Sequence, residues 1–414
     1  MKIAVVGSGI AGLGAAWLLS REHEVVVFEA GSRLGGHTHT HRCHMEGRDY
    51  AIDSGFIVFN PHNYPLLDRL FDQLGVASQP TTMSFAVHDA RTGLEYNATR
   101  MDTMFCQRRN LVSPRFWGMV RDIMRFYREA PALLDDDAPG PTLGEYLGQG
   151  RYSTMFIEDH LVPMASALWS SPSQQVLAFP ARHLARFMDN HRMLQVEGRP
   201  EWRVVSGGSS SYIERITATW SAQVRLETPV LRVRRASDHV MVETASGAER
   251  FDQIVLACHS DQALALLADP TTAERDVLGA ITYQPNETVL HTDASVLPGN
   301  RKAWAAWNAY VPAEADGQCT VSYCMNLLQS LRSPEPFVVT LNRTADIDPE
   351  RIIARMDYAH PVYSHASVAA QGRRGELNGQ HRTWYAGAYW GFGFHEDGLR
   401  SGVDVARALG VAWP

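Results

Sequence analysis

Residues 1–30 read MKIAVVGSGIAGLGAAWLLSREHEVVVFEA. This stretch combines an apolar strand, a GxGxxG turn, a helix and a second apolar strand that ends in an acidic residue. Gly7 can make the tight turn, Gly9 lets backbone N–H groups approach a pyrophosphate, and Gly12 lets the helix pack closely on the strand. Glu29 follows at the spacing of an acid that accepts ribose hydroxyls. The opening therefore predicts a Rossmann-type unit that binds a dinucleotide.

The next residues indicate which dinucleotide binds. Residues 29–38 read EAGSRLGGHT, so that Arg33 precedes the glycine pair Gly35 and Gly36. This run resembles the motif that lies over the FAD pyrophosphate in the flavoprotein superfamily of amine oxidases, phytoene desaturases and protoporphyrinogen oxidase. The resemblance implies FAD as the cofactor, with Arg33 as a phosphate contact. His37 departs from the motif, because amine oxidases usually carry arginine there, and an imidazole weakens one phosphate contact.

The other end of the chain agrees with this resemblance. Residues 384–402 read WYAGAYWGFGFHEDGLRSG and resemble the closing motif of the same superfamily, whose helix directs its positive N-terminus at the flavin. Residues 52–56 resemble the loop beside the isoalloxazine, and residues 228–233 and 253–258 resemble strands that close the adenine side. The cofactor-binding residues implied by all these motifs are Gly7, Ser8, Gly9, Ile10, Ala11, Gly12, Glu29, Ala30, Arg33, Gly35, Gly36, His37, Gly55, Phe56, Ile57, Val58, Val230, Ala257, Gly387, Ala388, Asp397, Gly398 and Leu399.

The pattern of elements predicts an α/β protein in which a discontinuous Rossmann-type FAD-binding domain is intertwined with an α+β substrate domain, as the amine-oxidase resemblance implies. Residues 114–199 look helical, interrupted by a solvated loop at 135–141, and residues 281–342 alternate like strands. The predicted FAD-binding domain comprises residues 1–85, 203–275 and 376–414, and the predicted substrate domain comprises residues 86–202 and 276–375.

Composition excludes several classes of protein. A chain of 414 residues with 45% hydrophobic residues can bury the cores of two domains. A net charge of −7 without a basic run argues against a nucleic-acid partner. There is no apolar window of the length that spans a bilayer, about 18 residues, and the nucleotide strand begins at the N-terminus, so we expect a cytoplasmic protein without a signal peptide. Five unpatterned cysteines predict reduced thiols.

Two clusters allow more than one interpretation. Four histidines surround Cys43 within residues 37–44, which suggests a metal site, but their position beside the FAD loop favours no metal. Residues 116–127 carry apolar side chains at helical spacing with arginines on the flanks. Such a helix either packs on the core or docks at a membrane surface, so peripheral membrane contact is left open.

The residues that would oxidise an amine are missing from the expected places. Amine oxidases of the superfamily use a lysine that holds a water at flavin N5, and two aromatic side chains that enclose the amine. The strand expected to carry the lysine, near residues 286–292, has none, and Lys302 follows in a loop. The second aromatic should follow the glycine of the closing helix, a position that we assign to Leu399. Residues 364–369, where covalent members carry the tether cysteine, contain no cysteine, so the implied FAD is non-covalent.

Four further segments, 110–117, 167–170, 202–209 and 389–398, resemble a bacterial branch usually labelled predicted NAD/FAD-binding or amine-oxidase-like protein. Members of this branch are often encoded near cyclopropane-fatty-acyl synthase-like methyltransferases, which implies fatty-acyl or phospholipid chemistry. We therefore predict an FAD-dependent oxidoreductase that dehydrogenates or desaturates an acyl chain by hydride transfer to flavin N5. The predicted substrate-pocket residues are Trp169, Tyr323, Tyr389 and Trp390.

His395 and Glu396 are the candidates for the base that takes the partner proton, and the alternative is that both make structural hydrogen bonds. Two other functions stay open: oxidation of amines or other small polar molecules, and a redox-neutral isomerase or mutase reaction. Without a nicotinamide site, the electrons would leave to oxygen, a quinone or a protein. The sequence leaves the oligomeric state open.

Overall fold

The computed structural model describes residues 1–135, 138–314 and 318–414, so that two residues of the predicted loop at 135–141 lie outside the described part. The strands are β1 (Lys2–Val6), β2 (Glu24–Phe28), β3 (Thr40–Met45), β4 (Arg48–Asp53), β5 (Val58–Phe59), β6 (Ser78–Thr81), β7 (Phe85–Asp89), β8 (Leu94–Asn97), β9 (Trp202–Val205), β10 (Gln223–Arg225), β11 (Val230–Arg235), β12 (Val240–Thr244), β13 (Gly247–Phe251), β14 (Gln253–Leu256), β15 (Tyr283–His291), β16 (Trp307–Val311), β17 (Val321–Cys324), β18 (Val338–Leu341), β19 (Ile352–Pro361) and β20 (Thr383–Tyr385).

Short helices alternate with these strands along most of the chain. The α-helices are α1 (Ile10–Leu19), α2 (Pro65–Leu74), α3 (Met101–Met104), α4 (Pro114–Glu129), α5 (Leu143–Gln149), α6 (Thr154–Phe156), α7 (Val162–Trp169), α8 (Ser173–Ala178), α9 (Ala181–Asn190), α10 (Ser211–Ala218), α11 (Ser260–Leu266), α12 (Thr272–Gly279), α13 (Met325–Leu328), α14 (His365–Gly372), α15 (Arg374–Leu377) and α16 (His395–Ala408).

A parallel sheet of five strands, in the order β10-β2-β1-β14-β20, carries the dinucleotide motif. Its central strands are apolar on both faces, as in parallel sheets that are covered on both sides. Ile3 and Val5 pack against α1 and α16, whereas Ala4 and Val6 pack against the antiparallel sheet β11-β12-β13. The prediction of an α/β fold is confirmed.

The first and last helices pack against each other closely. A Cβ atom on Gly402 of α16 would lie 2.4 Å from the carbonyl oxygen of Ala11, and one on Gly398 would lie 2.7 Å from the side chain of Ile10. Contacts this short exclude any side chain at these two positions, so the glycines let the helix axes approach. The N-terminus of α16 is thereby held beside the glycine turn that follows β1.

A seven-stranded sheet, in the order β19-β15-β18-β17-β16-β7-β8, forms the second layer, and the aromatic helices α4 to α9 pack on it. The strands of the parallel sheet fall in the three segments predicted for the FAD-binding domain. Those of the seven-stranded sheet fall in the segments predicted for the substrate domain, except that β7 begins at Phe85. The exact boundaries stay a prediction.

Helix α4 shows what happens to the apolar residues that the sequence offers as a membrane dock. Phe116, Met119, Ile123 and Phe126 are at most 7% exposed and pack in the core of the helical layer. The guanidinium of Arg125 lies 3.7 Å from the ring centre of Tyr152. This apolar face therefore belongs to the core, and the interpretation that it docks at a membrane surface is wrong. Among the described residues, no helix combines the length and the apolar character needed to cross a bilayer.

Candidate active site

The glycine turn after β1 leaves an open space in front of α1. Gly7 has a φ of +99°, and a Cβ atom on Gly12 would lie only 2.0 Å from its carbonyl oxygen. The helix therefore packs directly on the turn. By contrast, a Cβ atom on Gly9 would meet no described atom within 4 Å, although Gly9 is the N-cap of α1. Uncapped backbone N–H groups that face open space suit a pyrophosphate.

Glu29 stands at the end of β2, beside this turn. Its Oε2 accepts hydrogen bonds from the backbone N–H of Ser8 (3.0 Å) and from the Ser8 hydroxyl (2.5 Å). Its Oε1 accepts one from the N–H of Gly31 (2.8 Å). A carboxylate oxygen can accept two hydrogen bonds, so Oε1 keeps capacity for a ribose hydroxyl. The geometry fits the role that the sequence predicts for Glu29.

Arg33 holds the glycine pair through its backbone. Its guanidinium donates to the carbonyl oxygens of Thr38 and Gly36, each at 2.8 Å. A Cβ atom on Gly36 would lie 3.1 Å from Cα of Gly9, so this loop closes one side of the open space. Arg33 thus positions the loop, and because a guanidinium has five N–H donors, its contact with a phosphate stays a prediction.

The other predicted cofactor residues surround the same edge of the parallel sheet. Ile10 and Ala11 form the first turn of α1, and Gly55 approaches so closely that a Cβ atom on it would lie 1.9 Å from the carbonyl oxygen of His37. The remaining predicted residues follow or begin strands and α16, namely Ala30 after β2, Val230 in β11, Ala257 after β14, Gly387 and Ala388 after β20, and Asp397 and Gly398 in α16.

A cavity of about 620 Å³ extends from this edge into the helical layer. Its wall next to the glycine loops includes His37 and the segment 54–58. Burial and the neighbouring histidines hold the pKa of His37 well below its usual value, so its ring is neutral. The predicted residues that line this cavity are His37, Gly55, Phe56, Ile57, Val58, Trp169, Tyr323 and His395.

Two of the predicted substrate-pocket residues lie elsewhere. The rings of Tyr389 and Trp390 stand 4.9 Å apart in the core on the β11-β12-β13 side of the parallel sheet. The indole N–H of Trp390 donates to the carbonyl of Tyr385 at 3.1 Å. Neither residue is among the described lining of the cavity. The prediction that they contact substrate is wrong, because β20 and the turn after it direct them to the opposite face of the sheet.

Glu396 is committed to the end of another helix. Its carboxylate accepts hydrogen bonds from the backbone N–H groups of Leu66 (3.1 Å) and Leu67 (3.0 Å), in the first turn of α2, and from Arg400 (3.2 Å). A carboxylate at a helix N-terminus accepts hydrogen bonds from the unpaired N–H groups, and its negative charge is attracted by the positive end of the helix dipole. Glu396 is therefore a structural cap, and its prediction as the catalytic base is wrong.

His395 lies at the cavity, but as a neutral and fixed ring. It stacks on Phe56 with 3.7 Å between ring centres. Its Nε2 lies 2.9 Å from the hydroxyl oxygen of Thr38 and 3.3 Å from that of Tyr212. Burial lowers the pKa of His395 to about 3. The ring is a weak base at neutral pH, and its stacking holds Phe56 in the cavity wall next to the glycine turn.

The segment before α16 places aromatic side chains, Phe392 and Phe394, at the cavity, whereas Leu399 of the helix does not line it. Leu399 is fully buried against α1, where a Cβ atom on Gly14 would lie 2.6 Å from it. Phe394 precedes the helix, lines the cavity, and is held by its backbone N–H, which donates to Asp397 at 3.2 Å. The prediction of Leu399 is wrong because it counts from Gly398, inside the helix.

Other lining residues were missed although the sequence contained a signal for two of them. Tyr358 and His360 alternate along β19, so that both side chains point to one face of the sheet and into the cavity. Thr288 is the residue of β15 that lines the cavity, on the strand where the resemblance placed the lysine of amine oxidases. For lining residues of the helical layer, such as His160, no local sequence pattern indicated a position at the cavity.

Comparisons with known proteins agree with this site. Residues 10–292 match the family model of flavin-containing amine oxidoreductases. A candidate flavin-containing monoamine oxidase of Mycobacterium tuberculosis, AofH, is 26% identical over 280 residues, which are 65% of this chain and 59% of that protein. Flavin-containing amine oxidase A of the dog is 26% identical over 266 residues, 58% of this chain and 46% of that protein. The chain thus spans about half to three fifths of the length of these relatives.

Solved structures share the whole fold. Cyclohexylamine oxidase from Brevibacterium oxydans has a TM-score of 0.71 at 17% identity, covering 99% of this chain and 98% of the other. A fatty acid isomerase from P. acnes that produces CLA has a TM-score of 0.69 at 17% identity, with the same coverage of both chains. The predicted amine-oxidase-like fold is confirmed.

The glycine turn, the acid at the end of β2 and the family match together define a flavin-binding oxidoreductase fold. The chain belongs to the family of flavin-containing amine oxidoreductases. The predictions of FAD as cofactor and of an FAD-dependent oxidoreductase are confirmed at the level of that family.

Proposed function

We propose that the protein is an FAD-dependent oxidoreductase that removes hydrogen from a fatty-acyl chain or a similarly apolar substrate. The observation that carries this proposal is the apolar character of the cavity wall beyond the glycine loops. Each methylene transferred from water to such a wall contributes about 0.8 kcal/mol. The apolar lining residues are Ile57, Val58, Phe85, Met164, Leu168, Trp169, Phe187, Met193, Trp307, Leu341, Phe392 and Phe394.

The two lysines of the chain support a substrate other than an amine. Lys2 pairs with Glu249 at 2.8 Å, and Lys302 pairs with Asp102 at 3.1 Å, and neither lines the cavity. The wall on β15 offers the small hydroxyl side chain of Thr288 instead. No lysine is thus available to hold a water beside the flavin, as the resemblance requires of an amine oxidase.

The mouth of the cavity offers a charge for an acidic head group. Arg199 is exposed there and lines the cavity, and its guanidinium lies 3.3 Å from the hydroxyl of Tyr127. An arginine pairs well with a carboxylate or a phosphate. An acyl chain inside the cavity with its acid group at Arg199 would satisfy both the apolar wall and this charge.

Bound FAD supplies the hydride acceptor of such a reaction. The residues of the chain orient the substrate: Phe56, fixed by His395, and Phe394, fixed by Asp397, form the wall next to the glycine loops. Of the two residues predicted as the base, only His395 lines the cavity, and its lowered pKa makes it a poor acceptor of the partner proton. The electrons then leave to oxygen, a quinone or a protein.

We also propose peripheral contact with the cytoplasmic face of a membrane, through a surface other than the buried face of α4. Val112, Trp117 and Met124 are 84%, 43% and 50% exposed, and Arg115 and Arg121 are exposed beside them. Apolar side chains bordered by arginine suit an anionic lipid surface. Val112→Asp should reduce co-sedimentation with phosphatidylglycerol vesicles, whereas Ile353→Asp, at another exposed apolar position, should not.

Anaerobic titration of the FAD-loaded protein tests the substrate class. Oleic acid or an unsaturated phospholipid should bleach the flavin absorbance, and benzylamine or putrescine should not. Amine oxidation is the second candidate, because the sequence relatives named above are amine oxidases, and rapid bleaching by an amine would replace the first proposal. A shifted double bond without hydrogen peroxide would indicate a redox-neutral reaction.

A further inference from the structure

The helix that borders the cavity changes its geometry at one turn. α6 passes into a π-helical turn, Ile157–Leu161, before α7 begins. Turns of this kind are rare and occur frequently at functional sites. His160 lies in this turn, is 3% exposed and lines the cavity. The turn thus contains one histidine, which stands in the cavity wall.

The neighbours of His160 determine which of its nitrogens carries the proton. The hydroxyl of Tyr96 donates to the carbonyl oxygen of Asp159 at 2.7 Å and lies 2.9 Å from Nδ1 of His160. A phenol has one proton to donate, so Nδ1 must be the donor to the Tyr96 oxygen. Nε2 therefore carries the lone pair. Burial lowers the pKa of His160 to about 4, so the ring stays neutral at pH 7.

This lone pair has no partner in the described part of the protein. Nε2 of His160 is buried and makes no hydrogen bond there. Around it stand the rings of Phe85, at 6.3 Å between ring centres, and Phe156, at 6.0 Å. The turn itself is held by Asp159, which accepts a hydrogen bond from Arg91 at 2.9 Å. A buried acceptor without a partner is unfavourable, so a fixed one in a cavity wall points to a ligand.

We propose that Nε2 of His160 accepts a hydrogen bond from an O–H or N–H group of the substrate and thereby determines specificity. The inference deepens the proposed function, on which it rests for the cavity being the substrate site. The substrate is then an apolar chain that carries a hydroxyl or another hydrogen-bond donor within reach of His160. A carboxylate does not satisfy this site, because both partners would be acceptors.

Two substitutions separate the two nitrogens. His160→Asn supplies an amide N–H to Tyr96 in place of Nδ1 but has no atom in place of Nε2. His160→Gln reaches the position of Nε2 with an oxygen that can accept a hydrogen bond. The FAD-loaded protein is titrated anaerobically with decanol, decylamine and decyl methyl ether, and binding is followed by the change in the flavin spectrum. The ether has the same chain without a donor.

We expect the parent to bind decanol or decylamine about five- to tenfold more tightly than the ether, as one added hydrogen bond allows. The preference should disappear in His160→Asn and persist in His160→Gln, and the probe that shows it identifies an O–H or an N–H donor. Nitrogen NMR of the histidine rings should show an unprotonated Nε2 of His160 whose signal moves with decanol but not with the ether.

Equal affinities of the parent for all three probes would overturn this inference and leave the apolar-substrate proposal intact. An Nε2 that carries a proton, or a preference that survives in His160→Asn, would also overturn it. If the parent protein binds none of the three probes, decanol, decylamine and decyl methyl ether, both the apolar-substrate proposal and this inference are overturned.

Discussion

Two substitutions in the first glycine turn should separate folding from cofactor binding: Gly12→Ala should destabilise the fold, and Gly9→Val should weaken the binding of FAD. In Gly12→Ala the new Cβ atom would lie 2.0 Å from the carbonyl oxygen of Gly7, and a backbone atom can yield only if α1 moves away from β1. Overpacking of this kind costs typically about 1–3 kcal/mol and occasionally more. Because the overlap here is with the backbone, we expect the free energy of unfolding to fall by at least the upper value, about 3 kcal/mol.

Gly9→Val should leave the apoprotein folded and remove the cofactor. Gly9 has φ −65° and ψ 176°, which any residue adopts, and no described atom lies within 4 Å of its Cβ position. The side chain would occupy the space in front of the N–H groups of α1. Charge-assisted hydrogen bonds contribute about 1.5–3 kcal/mol each, so loss of two should weaken FAD binding by roughly 10²- to 10⁴-fold.

Urea unfolding of the apoproteins measures the first effect, and quenching of FAD fluorescence measures the second. Gly148→Ala is a control, since its Cβ position is also free of neighbours but lies in α5, away from the turn. Binding of FAD by Gly9→Val with the parent's affinity would contradict the role of Gly9 at the pyrophosphate. A loss of apoprotein stability in Gly9→Val as large as in Gly12→Ala would contradict the open space at Gly9.

Three further predictions concern a buried histidine, the α2 cap and the mouth of the cavity. Burial lowers the pKa of His183 to about 3, so the unfolded chain binds a proton below pH 6.5 that the folded chain does not, and stability falls as the pH falls through this range. Between pH 7 and pH 5, the free energy of unfolding measured in urea should therefore fall by about 2 kcal/mol less in His183→Phe than in the parent. Equal decreases in the two proteins would contradict this cause. Glu396→Ala should lower the free energy of unfolding by about 1–2 kcal/mol while retaining flavin reduction by substrate, whereas a stable but inactive variant would restore Glu396 as the base. Arg199→Gln should weaken binding of oleic acid, measured by the flavin spectrum, and leave binding of methyl oleate unchanged; an equal loss for both would exclude a pairing of Arg199 with the acid group.

Much of the cofactor site could be predicted from the sequence because its geometry is local. The turn at Gly7, the close contact of Gly12 and the position of Glu29 all follow from the spacing within one strand-turn-helix-strand unit, and the structure places them as expected. Arg33 shows the limit of this reasoning. Its motif marks the loop correctly, but whether its guanidinium contacts phosphate or backbone depends on how the loop folds over the turn.

The substrate side required the tertiary structure, because the side that a residue faces depends on what packs against it. Phe394 and Leu399 lie five positions apart at the start of one helix, yet one lines the cavity and the other is buried beside Gly14 of α1. The role of Glu396 was decided by the N-terminus of α2, more than three hundred residues away in the chain. The sequence by itself determined the flavin family and the turn that binds the cofactor. Only tertiary packing decided which side chains reach the substrate, because contacts between distant segments leave no periodic signal in either segment.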